Sequence, residues 1–320
     1  MAKKLVTIVV PMYNEEPMVP HFLAKIAEII KENVDYDFEV VAVNDGSRDK
    51  TLELLYGFQK KYPFLRVVNL SRNFGHEAAV AAGLSVAKGD AIIPIDADLQ
   101  DPPELIKPML ALFEEGFEVV NARRASRKED AWIKRYTALK FYKVIDKLSG
   151  KVRIPQNVGH YRLISRRVLD EVLKLPESNR VFRVEVPYVG FKTAEVAFVR
   201  PKREHGKTHY NMKSMIDLAI NAITITSTKP LNIVFKFAMW IGIFLGLSSV
   251  TQLVLFILDV TNVLPIPFLN HGIWLVINIS LLLTTVLLLC LSLLAIYLGK
   301  TFSETQKRPF YVIESIKEPK

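Results

Sequence analysis

Along the first part of the chain, apolar runs of strand length alternate with longer segments whose apolar positions recur at helical spacing. Leu5 to Val10 is a nearly continuous β-branched run closed by Pro11, the pattern of a strand buried on both faces. Phe38 to Val43, Arg66 to Asn69, Ala91 to Ile95 and Val119 to Val120 repeat it. Between them, Met18 to Glu32, Thr51 to Lys61, His76 to Ala87 and Pro103 to Glu115 have helix length, and Ser47 or Asp49 is available to cap the second. Strands alternating with helices predict an α/β domain, a mostly parallel sheet with helices on both faces. Ligands of such sheets bind beyond the carboxyl ends of the strands, so the polar clusters there are where chemistry is expected.

The pattern changes late in the chain. Phe237 to Leu258 and Ile273 to Leu298 carry no charged side chain, and each is long enough to cross a hydrocarbon core of about 30 Å. The connecting loop, Asp259 to Gly272, has no Lys or Arg, whereas Lys229, Lys236, Lys300, Lys307 and Arg308 flank the pair on the other side. The positive-inside rule then puts both termini and the large domain in the cytoplasm, with the protein in the cell membrane. Two further stretches have amphipathic spacing. Lys140, Lys143 and Lys147 share a stripe in 131–148, and Lys213, Asp217 and Asn221 share one in 212–223. Such helices lie in a headgroup layer or pack on a sheet. The expected organisation is a catalytic domain over 1–205, a juxtamembrane segment over 206–232, a transmembrane hairpin over 233–299 and a basic tail over 300–320.

Composition adds little to this. Half of the 320 residues are hydrophobic, and the excess is concentrated after residue 230. A net charge of +9 suits an anionic partner, but basic cytoplasmic flanks give the same sign. No nucleic-acid motif accompanies the charge, so nucleic acid is not an expected partner. Cys290, the one cysteine, excludes a disulfide framework and a thiolate metal site.

Asp96-Ala97-Asp98-Leu99-Gln100 directly follows the fourth apolar run. Two carboxylates flanking one residue at a strand end can converge on Mg²⁺ or Mn²⁺, hard ions that are readily shared with substrate phosphates. The first run ends in Pro11-Met12-Tyr13-Asn14-Glu15-Glu16 and the second in Asn44-Asp45-Gly46-Ser47-Arg48-Asp49. An aromatic ring, a carboxylate and a glycine turn can enclose a base and ribose; Asp45-Gly46-Ser47 also reads as a plain turn and helix cap.

Together these segments, with SRNFGHEAA at 71–79, DADLQDPPE at 96–104, NVGHYRL at 157–163 and REHGKTHY at 203–210, resemble the GT-A glycosyltransferases of family 2. Within that family the chain is similar to the polyprenyl-phosphate glycosyltransferases, including the bacterial bactoprenol glucosyltransferases. The resemblance implies inverting transfer of a sugar from a nucleotide-sugar, with UDP-sugar favoured, onto polyprenyl phosphate. It implies that Pro11, Tyr13, Glu15, Asp45, Asp96 and Ala97 line the nucleotide pocket. It likewise makes Asp96, Asp98 and Gln100 metal ligands, and Arg123, Arg135 and Arg203 the holders of the acceptor phosphate. A homo-oligomer, with a tetramer favoured, is implied in the same way.

One position departs from the family pattern. Asn157 stands where relatives usually carry an aspartate proposed as a catalytic base, and His160 replaces a residue that is often acidic. Asn44, where relatives often have a first aspartate, is a milder departure. A phosphate monoester with a second pKa of about 6 is largely dianionic near neutrality and is already a nucleophile. By resemblance Asn157 and Asp98 are the catalytic positions, and Asn157 can still orient an acceptor oxygen or a metal-bound water. Two alternatives stay open: transfer to another lipid or glycan acceptor, and a donor-binding relative impaired by Asn157. A processive synthase would bring further spans and a QxxRW-type motif, and neither is present.

Overall fold

The computed structural model describes residues 3–125, 155, 157–176, 180–199 and 269–319, with scattered positions between 236 and 261. The chain divides into two compact units, one made of 1–147, 151–222 and 307–320, the other of 148–150 and 223–306. The candidate interfacial stretches 131–148 and 212–223 lie outside the described residues, as do Arg135 and Arg203.

The first unit is built on an eight-stranded sheet. Its strands are β1 (Lys4–Met12), β2 (Tyr36–Asn44), β3 (Leu65–Leu70), β4 (Ala91–Pro94), β5 (Val119–Arg124), β6 (Val158–Ser165), β7 (Thr193–Phe198) and β8 (Ile313–Lys317). The spatial order is β7-β5-β6-β4-β1-β2-β3-β8. The β1–β2, β1–β4, β2–β3 and β5–β7 pairs are parallel. The β3–β8, β4–β6 and β5–β6 pairs are antiparallel. The sheet is thus mostly parallel, as expected, with β6 and β8 reversed. Reversal does not spoil the functional edge. Where β1 to β5 and β7 contribute their ends, β6 and β8 contribute their beginnings.

Alternation along the strands sorts the core onto two faces. Val6, Ile8 and Val10 of β1 join Val40 and Ala42 of β2 beneath α1 (Met18–Glu32), which brings Phe22, Leu23 and Ile26 to that face. The same cluster receives Leu55 of α2 (Thr51–Phe58) and Met109 and Leu110 of α4 (Ile106–Glu114). Val9, Val41 and Val43 point the other way, onto Ala79 and Ala82 of α3 (His76–Val86). Small residues let α3 lie close to the sheet. A Cβ on Gly83 would stand 2.3 Å from Val9 Cγ1. The start of α3 stands at the strand ends, where His76 meets Asp96. On the same face, α5 (Arg166–Leu173) and α6 (Phe182–Val189) add Val168, Leu169 and Phe182.

Two differences from the sequence reading stand out. Residues 158–165, 193–198 and 313–317 are strands that no apolar run announced, and the expected basic tail supplies one of them as the sheet edge. In the second unit, α7 (Leu269–Thr305) is a helix of 37 residues. Among the described residues no helix is long and apolar enough to cross a membrane.

Candidate functional site

The loops after β1 and β2 are stitched together by backbone donors meeting side-chain acceptors. Asn14 turns the chain with φ 53°, in the left-handed region that asparagine tolerates better than most residues. Its N–H donates to Ser47 Oγ at 3.0 Å, and its Oδ1 accepts from the Arg48 N–H at 2.8 Å. The Glu15 N–H donates to Thr51 Oγ1 at 2.9 Å, and the Glu16 N–H to Asp49 Oδ2 at 3.0 Å. Pro11 is buried, Glu15 is half-buried and Tyr13 is 43% exposed, leaving its ring open to a flat partner.

Asp45 is buried behind this pair of loops. Its two carboxylate oxygens accept the Phe74 N–H at 2.7 Å and the Gly75 N–H at 3.0 Å, tying the 71–75 segment to the β2 loop. Burial raises the Asp45 carboxyl above its ordinary range, and these two N–H groups, His76 and Arg72 oppose the rise without cancelling it. Gly46 is obligatory next door. It sits at φ 63°, and a Cβ there would lie 2.4 Å from Asn73 N.

His76 opens α3 and reaches Asp96, with Nε2 3.6 Å from Oδ1. Asp96 and Asp98 are both partly exposed beyond β4, while Ala97 and Gln100 are buried. Asp98 Oδ1 accepts the Gln100 N–H at 3.1 Å across a turn in which Leu99 has φ 54°. Among the described residues no group of three His, Cys, Asp or Glu side chains gathers as a metal cage. Two accessible carboxylates at a strand end nevertheless fit Mg²⁺ or Mn²⁺, because such ions keep several ligands from water or substrate phosphate.

The start of β6 faces this group. Asn157 has φ 60°, and its carbonyl accepts the Arg124 N–H at 3.1 Å. His160 Nε2 lies 3.1 Å from Glu77 Oε1, and its ring meets His76 edge-on at a centroid distance of 5.0 Å. Burial alone would raise the Glu77 carboxyl, but the charge and hydrogen bond of His160, with His76 and Arg183, bring it below its ordinary value. Behind them Arg162 is fully buried and donates to the Gly159 carbonyl at 2.8 Å. Burial pushes its guanidinium down to about 9, which leaves it charged at neutral pH.

Of the three arginines expected at the acceptor, Arg123 is described. It lies on β5 at the same edge, with Nε 2.9 Å from Glu195 Oε2 of β7. Its neighbour Arg124 stands 3.6 Å from Asp101. The sequence reading did not reach Glu77, Glu195 or Asp101. Their sites are set by pairing between segments far apart in the chain, and local pattern carries no trace of that.

Residues 7–173 match the family described as Glycosyl transferase family 2. A prophage bactoprenol glucosyl transferase homolog of Escherichia coli K12 is 37% identical over 317 residues, covering 98% of this chain and 99% of its own. The bactoprenol glucosyl transferase of Shigella phage SfX is 36% identical over 312 residues, with coverage of 98% and 99%. Among solved structures, the mannosyltransferase PcManGT of Pyrobaculum calidifontis, in complex with GDP-Man and Mn²⁺, is 21% identical with a TM-score of 0.46. That likeness covers 64% of this chain and 59% of that one. With the strand-end carboxylates in place and relatives aligned from end to end, the chain belongs to glycosyl transferase family 2.

Proposed function

We propose that this protein transfers a sugar from a nucleotide-sugar, with UDP-sugar favoured, to polyprenyl phosphate at the cytoplasmic membrane face, inverting the anomeric centre. The observation that carries the reading is the gathering of Asp45, His76, Asp96 and Asp98 at one sheet edge. It occurs in a chain aligned over nearly its whole length with bactoprenol glucosyl transferases.

Tyr13 would stack on the base, with Pro11, Glu15 and Ala97 closing the pocket and Asp45 holding its back wall. Mg²⁺ or Mn²⁺, held by Asp96 and Asp98 with Gln100 alongside, would offset the charge of the departing diphosphate. Arg123, with Arg135 and Arg203, would hold the acceptor phosphate. The acceptor brings its own nucleophile, so Asn157 aligns an oxygen instead of taking a proton. The membrane assignment rests on α7 and the segment 237–258. Leu287, Leu288, Leu289, Leu291, Leu294 and Leu298 of α7 are all exposed, and a helix that is apolar all round belongs in lipid. A tetramer is the favoured assembly.

The test is transfer to undecaprenyl phosphate by detergent-purified protein, with labelled UDP- and GDP-sugars and Mg²⁺, Mn²⁺ or EDTA. One chelator-sensitive lipid product is expected, with greater turnover after Asn157→Asp. No product from any donor with either protein would overturn the reading. Product only after Asn157→Asp would favour the impaired relative.

A further inference from the structure

The C-terminal strand does more than close the sheet. Asn69, at the end of β3, donates its Nδ2 to Glu314 Oε2 of β8 at 2.6 Å. Its Oδ1 accepts from Asn44 Nδ2 at 2.7 Å, in a pair that is buried on both sides. Asn44 Oδ1 faces the Ser47 N–H at 3.4 Å, and Ser47 Oγ accepts the Asn14 N–H at 3.0 Å. A line of hydrogen bonds thus runs from the tail to both loops that frame the nucleotide pocket. The tail has its own anchors. The Val312 carbonyl accepts the Ser71 N–H at 3.0 Å, and the Lys317 carbonyl accepts Gln59 Nε2 at 2.8 Å.

The line has a direction. A carboxylate only accepts, so Glu314 obliges Asn69 to turn its amide NH₂ toward the tail and its oxygen toward Asn44. Asn44 must then turn its own NH₂ toward Asn69 and its oxygen toward the Ser47 N–H. We infer that Glu314, through Asn69 and Asn44, is a positioning residue for the donor pocket, setting the polarity of the hydrogen bonds that shape the 44–47 loop. The inference rests on the donor reading of that pocket.

Polarity makes a test that simple loss of packing cannot imitate. Asn44→Asp leaves Asn69 between two carboxylates with an NH₂ for only one of them. Adding Glu314→Gln supplies the missing donor, because Asn69 can flip, give its NH₂ to Asp and take a hydrogen bond from Gln. Glu314→Gln alone should be mild, since Gln can present its oxygen. UDP binding by calorimetry with Mn²⁺, and amide exchange of the 44–50 peptide without nucleotide, read the outcome. Asn44→Asp is expected to weaken UDP binding on the order of tenfold and to speed exchange. Glu314→Gln should change binding by less than about twofold, and the double variant should return within about threefold of the original protein. A double variant no better than Asn44→Asp overturns the inference. If Asn44→Asp does not fold, Asn69→Asp meets the same conflict with Glu314 and must be rescued by the same Glu314→Gln. Failure of the unaltered protein to bind UDP would overturn the donor reading itself, and exchange would still decide the relay.

Discussion

The two sides of the functional edge are held by different forces. On the β1, β2 and α3 side, the fixing contacts run from backbone N–H groups to side-chain oxygens: Phe74 and Gly75 to Asp45, Asn14 to Ser47, Glu15 to Thr51 and Glu16 to Asp49. On the β5, β6 and β7 side they are side-chain ion pairs: Arg123 with Glu195, Arg124 with Asp101 and His160 with Glu77. The Phe74 and Gly75 N–H groups share one buried acceptor, Asp45, and would have no ready replacement for it, whereas a half-exposed ion pair such as Arg123 with Glu195 is worth about 0–1 kcal/mol and exchanges partners readily. The first side is therefore shaped before substrate arrives. The second is a set of cations already holding carboxylates, of which Arg123 with Glu195 is the most exposed pair.

The largest effect should come from breaking the first side at Asp45. Asp45→Ala leaves the Phe74 and Gly75 N–H groups without their acceptors in a buried place. Each orphaned donor costs about 1–3 kcal/mol, so the thermal midpoint should fall by several degrees and UDP affinity by roughly a hundredfold or more. A thermal melt and a nucleotide titration on the same preparation check both. Loss of affinity with an unchanged midpoint would show that Asp45 touches the donor without bracing the loops.

The seam between the sides should respond less. Glu77 of α3 meets His160 of β6, and although burial pushes its carboxyl up, His160, His76 and Arg183 together bring it below the ordinary range. A depressed carboxylate adds stability above its unfolded-state pKa and loses it as pH falls through the folded-state value. The protein should therefore lose thermal stability from the ordinary carboxylate range downward, and Glu77→Gln should remove part of that acid dependence. At pH 7 the same change should lower the midpoint by a few degrees, for a loss of about 1–3 kcal/mol. Parallel melts of the two proteins at pH 7 and pH 4 are the measurement, and equal slopes would contradict the pairing.

This contrast also explains what the sequence made legible. The apolar runs of β1 to β4 and the segments of α1 to α4 are local patterns, and they fall within a few residues of the elements found. The strand-end loops follow, so Tyr13, Asp45, Asp96 and Asp98 could be named before any coordinates. The other side offers no such pattern. β6 carries the buried cation Arg162 in mid-strand, α6 contains Pro187, β7 alternates exposed positions with partly buried ones, and β8 is exposed along most of its length. Each of these elements is stabilised by its partner more than by its own composition. The tail strand needs β3, and the Glu195 carboxylate shows its role only once β7 lies beside β5.

The smallest effects, and the sharpest for the comparison, belong to Arg123 and Glu195. Both are about half exposed, so Arg123→Ala and Glu195→Gln should each leave the thermal midpoint within about a degree or two. Their effects on the lipid acceptor should have opposite signs. Arg123→Ala removes a cation that would grip the phosphate, raising the acceptor KM roughly five- to twentyfold with the donor KM unchanged. Glu195→Gln removes the carboxylate that an acceptor phosphate would have to displace from Arg123, so the acceptor KM should fall about two- to threefold. The double variant decides between gripping and mere proximity. If Glu195 acts by occupying Arg123, its replacement has no effect once Arg123 is gone; if it repels the phosphate directly, the fall in KM persists in the Arg123→Ala background.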